Sequence, residues 1–234
     1  MSTPNRIQLK NVRKTYEDGI GGFTALKSAN IQFNSGEFVS IIGKSGSGKS
    51  TMLNMISCID RPSEGELYHN DMALHSMKES ALTAWRGKNI GIVFQFFQLI
   101  PTLTVLENVM LPMDFCNMIP AKIRKATAVS LLEKVEISEC LDKLPSELSG
   151  GQQQRAAVAR ALANDPPFII ADEPTGNLDT ENAKSVIALF KEMVKDGKSV
   201  IMVTHNPELA ECADRIITIQ DGIILTDKIK ECFE

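Results

Sequence analysis

The segment that most constrains this chain is Gly43-Lys44-Ser45-Gly46-Ser47-Gly48-Lys49-Ser50-Thr51. An apolar run, Phe38-Val39-Ser40-Ile41-Ile42, leads into it, and a helix-like Met52-Leu53-Asn54-Met55-Ile56 follows. G-x-x-x-x-G-K-S between a strand and a helix is the context of a phosphate-binding loop. Its glycines let successive N–H groups turn toward one cluster of oxygens, and the helix beginning there adds the positive end of its dipole. Lys49 is then expected on the β- and γ-phosphates of a nucleotide, and the Ser50 hydroxyl on Mg²⁺.

Composition narrows what such a chain can be. The 234 residues, 43% hydrophobic, suffice for one large domain with a full core. Net charge is −4, and no block of Lys or Arg forms the basic stripe that nucleic acid requires, so a nucleic-acid partner is not expected. Cys58, Cys116, Cys140, Cys212 and Cys232 are odd in number and never spaced C-x-x-C. They read as reduced thiols, which points to the cytoplasm. No apolar run approaches the ~20 residues of a membrane span, so a membrane role has to come through a partner.

Before the loop, Ile7 to Val12 and Ala29 to Phe33 alternate apolar and polar residues around the Asp18-Gly19 to Gly22 turn, predicting an antiparallel sheet edge with Tyr16 on its rim. Lys88 to Phe94 reads as a further strand ending at Gln95, and strand ends are where ligands bind in α/β sheets. From 101 to 163 the character changes: Pro101, Pro112, Pro120 and Pro145 separate helical stretches such as Lys122 to Val135 and Gln153 to Leu162. This predicts an inserted helical lobe. The α/β pattern then resumes, with strand Phe168 to Ala171, helix Glu181 to Lys195, strand Ser199 to Val203, a helix around Pro207 to Cys212, and strands Arg215 to Ile219 and Ile223 to Leu225 across an Asp221-Gly222 hairpin turn.

Two more motifs carry chemistry. Asp172 and Glu173 close the Phe168 strand, and nucleotide hydrolysis needs two things there: a second, water-mediated Mg²⁺ contact, which suits Asp172, and a carboxylate that handles the attacking water, which suits Glu173. Leu148-Ser149-Gly150-Gly151-Gln152 precedes the helix from Gln153. A serine and two glycines at a helix start make a second anion cradle. A chain with one P-loop lysine thus has two places for phosphate.

Together these pieces resemble the ATP-binding subunit of an ABC transporter, in the family's order over about residues 5 to 225. The resemblance implies an α/β P-loop NTPase (RecA-like) core with an antiparallel β subdomain, about 1–95 and 165–234, and an inserted α-helical subdomain, about 96–164. It casts Gly43 to Thr51 as Walker A, Gln95 as the glutamine loop with a Mg²⁺ contact, and Ser149, Gly150, Gly151 and Gln152 as the signature. Asp172 with Glu173 becomes Walker B, Asn177-Leu178-Asp179 the D-loop with Asp179 near nucleotide, and His205 the switch. Tyr16 falls where the family stacks an aromatic on adenine. The expected cofactors are ATP and Mg²⁺. The expected assembly is an ATP-bound homodimer, each signature closing on the other subunit's P-loop, held at the inner face of the cell membrane by permease subunits docking near Gln95 to Phe115. Ala171 to Asp179, Phe94 to Pro101 and the Gly19 to Thr24 loop look most like the lipoprotein-release and macrolide-exporter subfamily. A cell-division ATPase is a close alternative. A soluble ABC ATPase acting on DNA or ribosomes is the remote one, because Ser149 follows Ser50 by only 99 positions, with no heptads and no C-x-x-C between.

Overall fold

The computed structural model describes residues 5–17 and 21–230. The first part of the predicted 18–22 loop, and Cys232, lie outside them. Two sheets organise the chain. The first is antiparallel, in the order β2-β1-β4-β5, and comprises β1 (Arg6–Tyr16), β2 (Phe23–Asn34), β4 (Glu64–His69) and β5 (Met72–Ala73). The second has the order β10-β9-β3-β8-β7-β6. Its members are β3 (Phe38–Ile42), β6 (Ile90–Val93), β7 (Phe168–Asp172), β8 (Ser199–Val203), β9 (Arg215–Gln220) and β10 (Ile223–Ile229). All neighbours in it are parallel except β10, which pairs antiparallel with β9 as the Asp-Gly turn predicts.

Central strands of a parallel sheet are covered on both faces, so their period-two pattern divides between two cores. Val200 and Met202 of β8 join the core shared with the helical lobe, while Ile201 and Val203 join the core under α1 (Lys49–Ile56) and the antiparallel sheet. Ile169 and Ala171 of β7 face the first core, Phe168 and Ile170 the second. One strand therefore anchors both layers of the molecule.

The helical lobe holds α3 (Val105–Cys116), α4 (Ala121–Lys134) and α5 (Gly150–Ala161), with α6 (Thr180–Lys195) and α7 (Pro207–Ala210) beyond it. Pro112 does not separate helices, as its sequence suggested, but lies inside α3. The Val105, Val109 and Met113 face of α3 is fully buried, and that packing outweighs the hydrogen bond proline removes. Three elements carry no clear signal in the sequence: β4, β5 and α2 (Glu79–Asn89), whose last residues Lys88 and Asn89 precede the strand that begins at Ile90 rather than opening it. Only Leu82 and Trp85 of α2 are buried, too sparse a stripe to show as a helical period. Cys58, Cys116, Cys140 and Cys212 are free thiols, and burial pushes the Cys58 thiol up to about 12.

Arg215 joins the two sheets. Its guanidinium grips both oxygens of Asp227 at 2.6 Å, and Nη1 donates to the Gln32 carbonyl at 2.9 Å and to Glu37 at 3.2 Å. Bonding to Asp227 outweighs burial and holds this group above its ordinary range. Arg215→Ala leaves two carboxylates without their cation, and urea unfolding is expected to show a loss of about 3 kcal/mol. An unchanged unfolding midpoint would mean that solvent takes over the pairing.

Candidate functional site

Strand order assembles the site. β3, β8 and β7 are adjacent, so the loops leaving their carboxyl ends stand side by side: the P-loop, Thr204-His205, and Asp172-Glu173. In-register pairing of Ile41 with Val203, and of Val203 with Asp172, fixes their relative height. A cavity of about 370 Å³ opens there, lined by Ser45, Gly46, Gly48, Lys49, Ser50, Thr51, Glu173 and His205 among others.

The P-loop builds an anion cradle because nothing in it caps α1. Gly48, at the N-cap, has φ 103° and no side chain to accept the first N–H groups. A Cβ on Gly48 would lie 2.5 Å from the Ala25 carbonyl oxygen, so the left-handed turn and the close approach both demand glycine. The Ser47 hydroxyl is buried without a partner among the described residues. Lys49 Nζ donates to the carbonyls of Gly43 at 2.9 Å and Lys44 at 3.0 Å, curling the loop around its own cation. Uncapped N–H groups, a free hydroxyl and a central ammonium fit a polyphosphate.

The Ser50 hydroxyl donates to Asp172 Oδ1 at 3.4 Å. Burial raises the Asp172 carboxyl, the Ser50 hydrogen bond and Lys49 oppose it, and the charge of Glu173 adds to it. No group of three or more His, Cys, Asp or Glu capable of holding a metal occurs among the described residues. An oxygen pair with few protein ligands suits Mg²⁺, which keeps its waters and shares phosphate oxygens.

Glu173 has φ 48°, a left-handed conformation that is costly for a glutamate and is found where a site imposes it. Its Oε2 lies 2.8 Å from His205 Nδ1 and accepts the His205 backbone N–H at 3.3 Å. An ionised carboxylate only accepts, so Nδ1 carries the hydrogen. Glu173 is thus held over the P-loop cavity, its side chain 14% exposed.

Other predicted residues stand apart from this cavity. Gln95, half-buried just after β6, accepts from Asn177 Nδ2 through its backbone carbonyl at 2.9 Å. Its side-chain Nε2 comes within 3.4 Å of where a Cβ on Gly176 would be. Ser149 caps α5, which begins at Gly150 rather than at Gln153, so the signature glycines form the first turn. Ser149 Oγ accepts from the Gln152 N–H at 3.2 Å, and Gln152 Oε1 accepts from the Ser149 N–H at 3.0 Å. Ser149 and Gly150 are exposed, whereas Gly151 is buried; a Cβ on it would lie 2.4 Å from Asn182 Oδ1. Asp179 caps α6 and holds that same Asn182 through its N–H at 2.9 Å and its amide at 2.6 Å. Signature and Asp179 therefore form one unit on the helical side, with none of these residues on the cavity wall.

Tyr16 is not on that wall either; its ring lies 4.8 Å from Lys14 Nζ. The wall includes Phe23, 57% exposed, which pairs across β1 and β2 with Tyr16. Sequence reasoning missed Phe23, and the only signal for it was its place at the start of an alternating strand.

A second cavity, of about 460 Å³, lies between α2, α3 and α5, lined by Ile92, Phe94, Gln98, Ile100, Leu111, Pro112, Arg86 and Arg160 among others. Large apolar residues of the 96–115 segment divide here. Leu99 and Met110, within the stretch expected to dock a partner, pack against the core, while Phe96 and Phe115 are 70% and 80% exposed.

A protein-family model described as ABC transporter matches residues 26–176. The chain is 45% identical over 222 residues to the uncharacterized ABC transporter ATP-binding protein YvrO of Bacillus subtilis, covering 95% of this chain and 96% of that one. A solved dimeric, post-hydrolysis structure of the ATP-binding cassette MJ0796 bound to ADP and Pi superposes with a TM-score of 0.90 at 44% identity, over 97% of this chain and all of that one. MJ0796 is a protein of Methanocaldococcus jannaschii. The macrolide export ATP-binding/permease protein MacB of Syntrophobacter fumaroxidans is 40% identical over 93% of this chain, which spans 31% of its length.

Proposed function

The chain belongs to the ABC transporter family, and from that membership we propose that it binds and hydrolyses ATP as the motor subunit of such a transporter. The convergence of the P-loop, Glu173 and His205 on one cavity, with Asp172 bonded to Ser50 of its wall, carries this reading. Lys49 and the first N–H groups of α1 hold the β- and γ-phosphates and offset the charge that builds on them. Ser50 and Asp172, with Gln95 brought in from its loop, hold Mg²⁺, which when bound screens the phosphate oxygens. Glu173 orients a water against the γ-phosphorus and accepts its proton as the bond to the β–γ bridging oxygen breaks, releasing ADP and phosphate. His205 keeps the Glu173 carboxylate turned toward the cavity, and Phe23 supplies the aromatic wall for the base.

The signature, whose Ser149 and Gly150 are exposed and which stands off the cavity of its own chain, supports a head-to-tail homodimer in which Ser149 to Gln152 of each subunit complete the other's site. The MJ0796 cassette is described as a dimer with ADP and Pi, in keeping with that arrangement. In this reading residues about 96–164 form the helical subdomain and the remainder the core and β subdomain. No helix among the described residues is long and apolar enough to cross a membrane. The subunit is read as cytoplasmic and peripheral, joined to permease subunits through the second cavity. Likeness to MacB favours the exporter and lipoprotein-release subfamily. A cell-division role is the neighbouring reading, and DNA or ribosome remodelling is disfavoured because the longest described helix, α6, has 16 residues.

Ile100 tests the docking reading, being 38% exposed on the groove wall. Ile100→Asp is expected to leave ATP binding intact while weakening co-purification with a co-expressed membrane subunit by about tenfold, since a carboxylate has to be desolvated in an apolar contact. Undiminished co-purification by the folded variant removes this groove from the interface.

A further inference from the structure

The loop that follows β6 holds two consecutive non-glycine residues in the left-handed region, Phe97 at φ 57° and Gln98 at φ 50°. A bulky aromatic rarely adopts this conformation, and a pair of such residues persists only where the surroundings impose it. Local bonding is limited to turns: the Phe97 N–H donates to the Phe94 carbonyl at 3.2 Å and the Gln98 N–H to the Phe96 carbonyl at 2.5 Å. What reaches these two residues from outside is Arg160. Its Nη2 donates to the Phe97 carbonyl at 2.7 Å and its Nη1 to the Gln98 carbonyl. Among the described side chains no other bonds to these two oxygens, and no carboxylate pairs with Arg160 there. A planar fork whose charge burial opposes is thus spent on two backbone oxygens of a strained turn.

Arg160 lies in the last turn of α5, the helix whose first turn is the signature. Gln95 precedes the clamped turn by two residues and is tied on its other side to Asn177. We propose that Arg160 is a positioning residue: by clamping the Phe97 and Gln98 carbonyls it sets the place of Gln95 relative to the signature, so that movement of α5 is passed to the glutamine loop. Phe94, Gln98 and Arg160 also line the groove between α2, α3 and α5, so the same clamp carries the loop's state to whatever occupies that groove.

This inference rests on the ATPase reading, and its test separates the two. Arg160→Lys keeps the charge and loses the fork; kcat for ATP is expected to fall about tenfold with KM within about twofold, the scale of one charge-assisted hydrogen bond. Glycine takes the left-handed turn without strain, so in a Phe97→Gly, Gln98→Gly background the same Arg160→Lys change is expected to cost about twofold or less. Hydrogen exchange supplies a readout independent of ATP: the Phe97 and Gln98 amides are expected to exchange faster in Arg160→Lys while those of α5 keep their rates. Equal losses in both backgrounds, or unchanged exchange of the two amides, overturn the clamp. If Arg160→Lys does not fold, Arg160→Gln, which buries no charge, enters the same comparison with the same outcomes. A wild-type protein without ATP turnover, by contrast, defeats the ATPase reading and leaves the exchange arm to decide the clamp.

Discussion

Glu173→Gln is expected to lower ATP turnover by about 10² to 10⁴-fold, the contribution of a positioned general base, while ATP affinity changes little. Glutamine keeps the length of the side chain, and its amide oxygen still accepts from His205 Nδ1, so the geometry over the P-loop survives. What it cannot do is take the proton of the attacking water. Lys49, Ser50 and Asp172 are untouched, and removing the Glu173 charge relieves one of the influences that raise the Asp172 carboxyl. With binding intact and hydrolysis stopped, the closed state has no route to ADP, and the variant should accumulate as an ATP-bound dimer. Light scattering after size exclusion in saturating ATP and Mg²⁺ reads this directly. A monomer under those conditions counts against the head-to-tail dimer, whereas turnover within a factor of ten of wild type removes Glu173 from the chemistry.

Lys49→Ala and Ser149→Arg are each expected to abolish hydrolysis alone and to restore part of it when mixed. In a mixed dimer one composite site combines both lesions and the other combines an intact Lys49 with an intact Ser149. Random exchange in an equal mixture makes half the dimers mixed, each with one sound site, so recovery of about a quarter of wild-type activity is expected if sites act independently. Ser149→Arg also removes the cap of α5, at a cost of about 1 kcal/mol, so thermal unfolding must show that the variant is folded before its inactivity is read. A mixture as inactive as its parents means that the two sites hydrolyse only together or that the cradles are not shared. Intermediate recovery supports the composite site.

The motifs were legible because each is a short run with its own local physics. The uncapped glycine at the start of α1, the capping box of Ser149 and Gln152, and the carboxylates leaving a continuously apolar strand need only neighbouring residues to be recognised. Errors arose where long-range packing decided. Pro112 sits inside α3 because the helix's buried face is held by the rest of the lobe; α2 is invisible in the sequence because two buried side chains suffice to dock it; Leu99, in the stretch expected to dock a partner, instead packs on the core. Tyr16 was read by its position in the family pattern, but only strand pairing shows Phe23 opposite it, on the cavity wall.

By itself, then, the sequence determined the chemistry this chain can carry, since a phosphate cradle and the hydroxyl and carboxylate proposed for metal and water are written in contiguous residues. The tertiary structure decided which of them meet. Adjacency of β3, β8 and β7 brings Lys49, Glu173 and His205 to one cavity and Asp172 against Ser50 of its wall. The seating of Gly91 of β6 against α5, where a Cβ would lie 2.2 Å from the Ala161 carbonyl oxygen, fixes the helix whose other end carries the signature on the far side. Such placements depend on contacts between residues distant in the chain, and local periodicity holds no record of them.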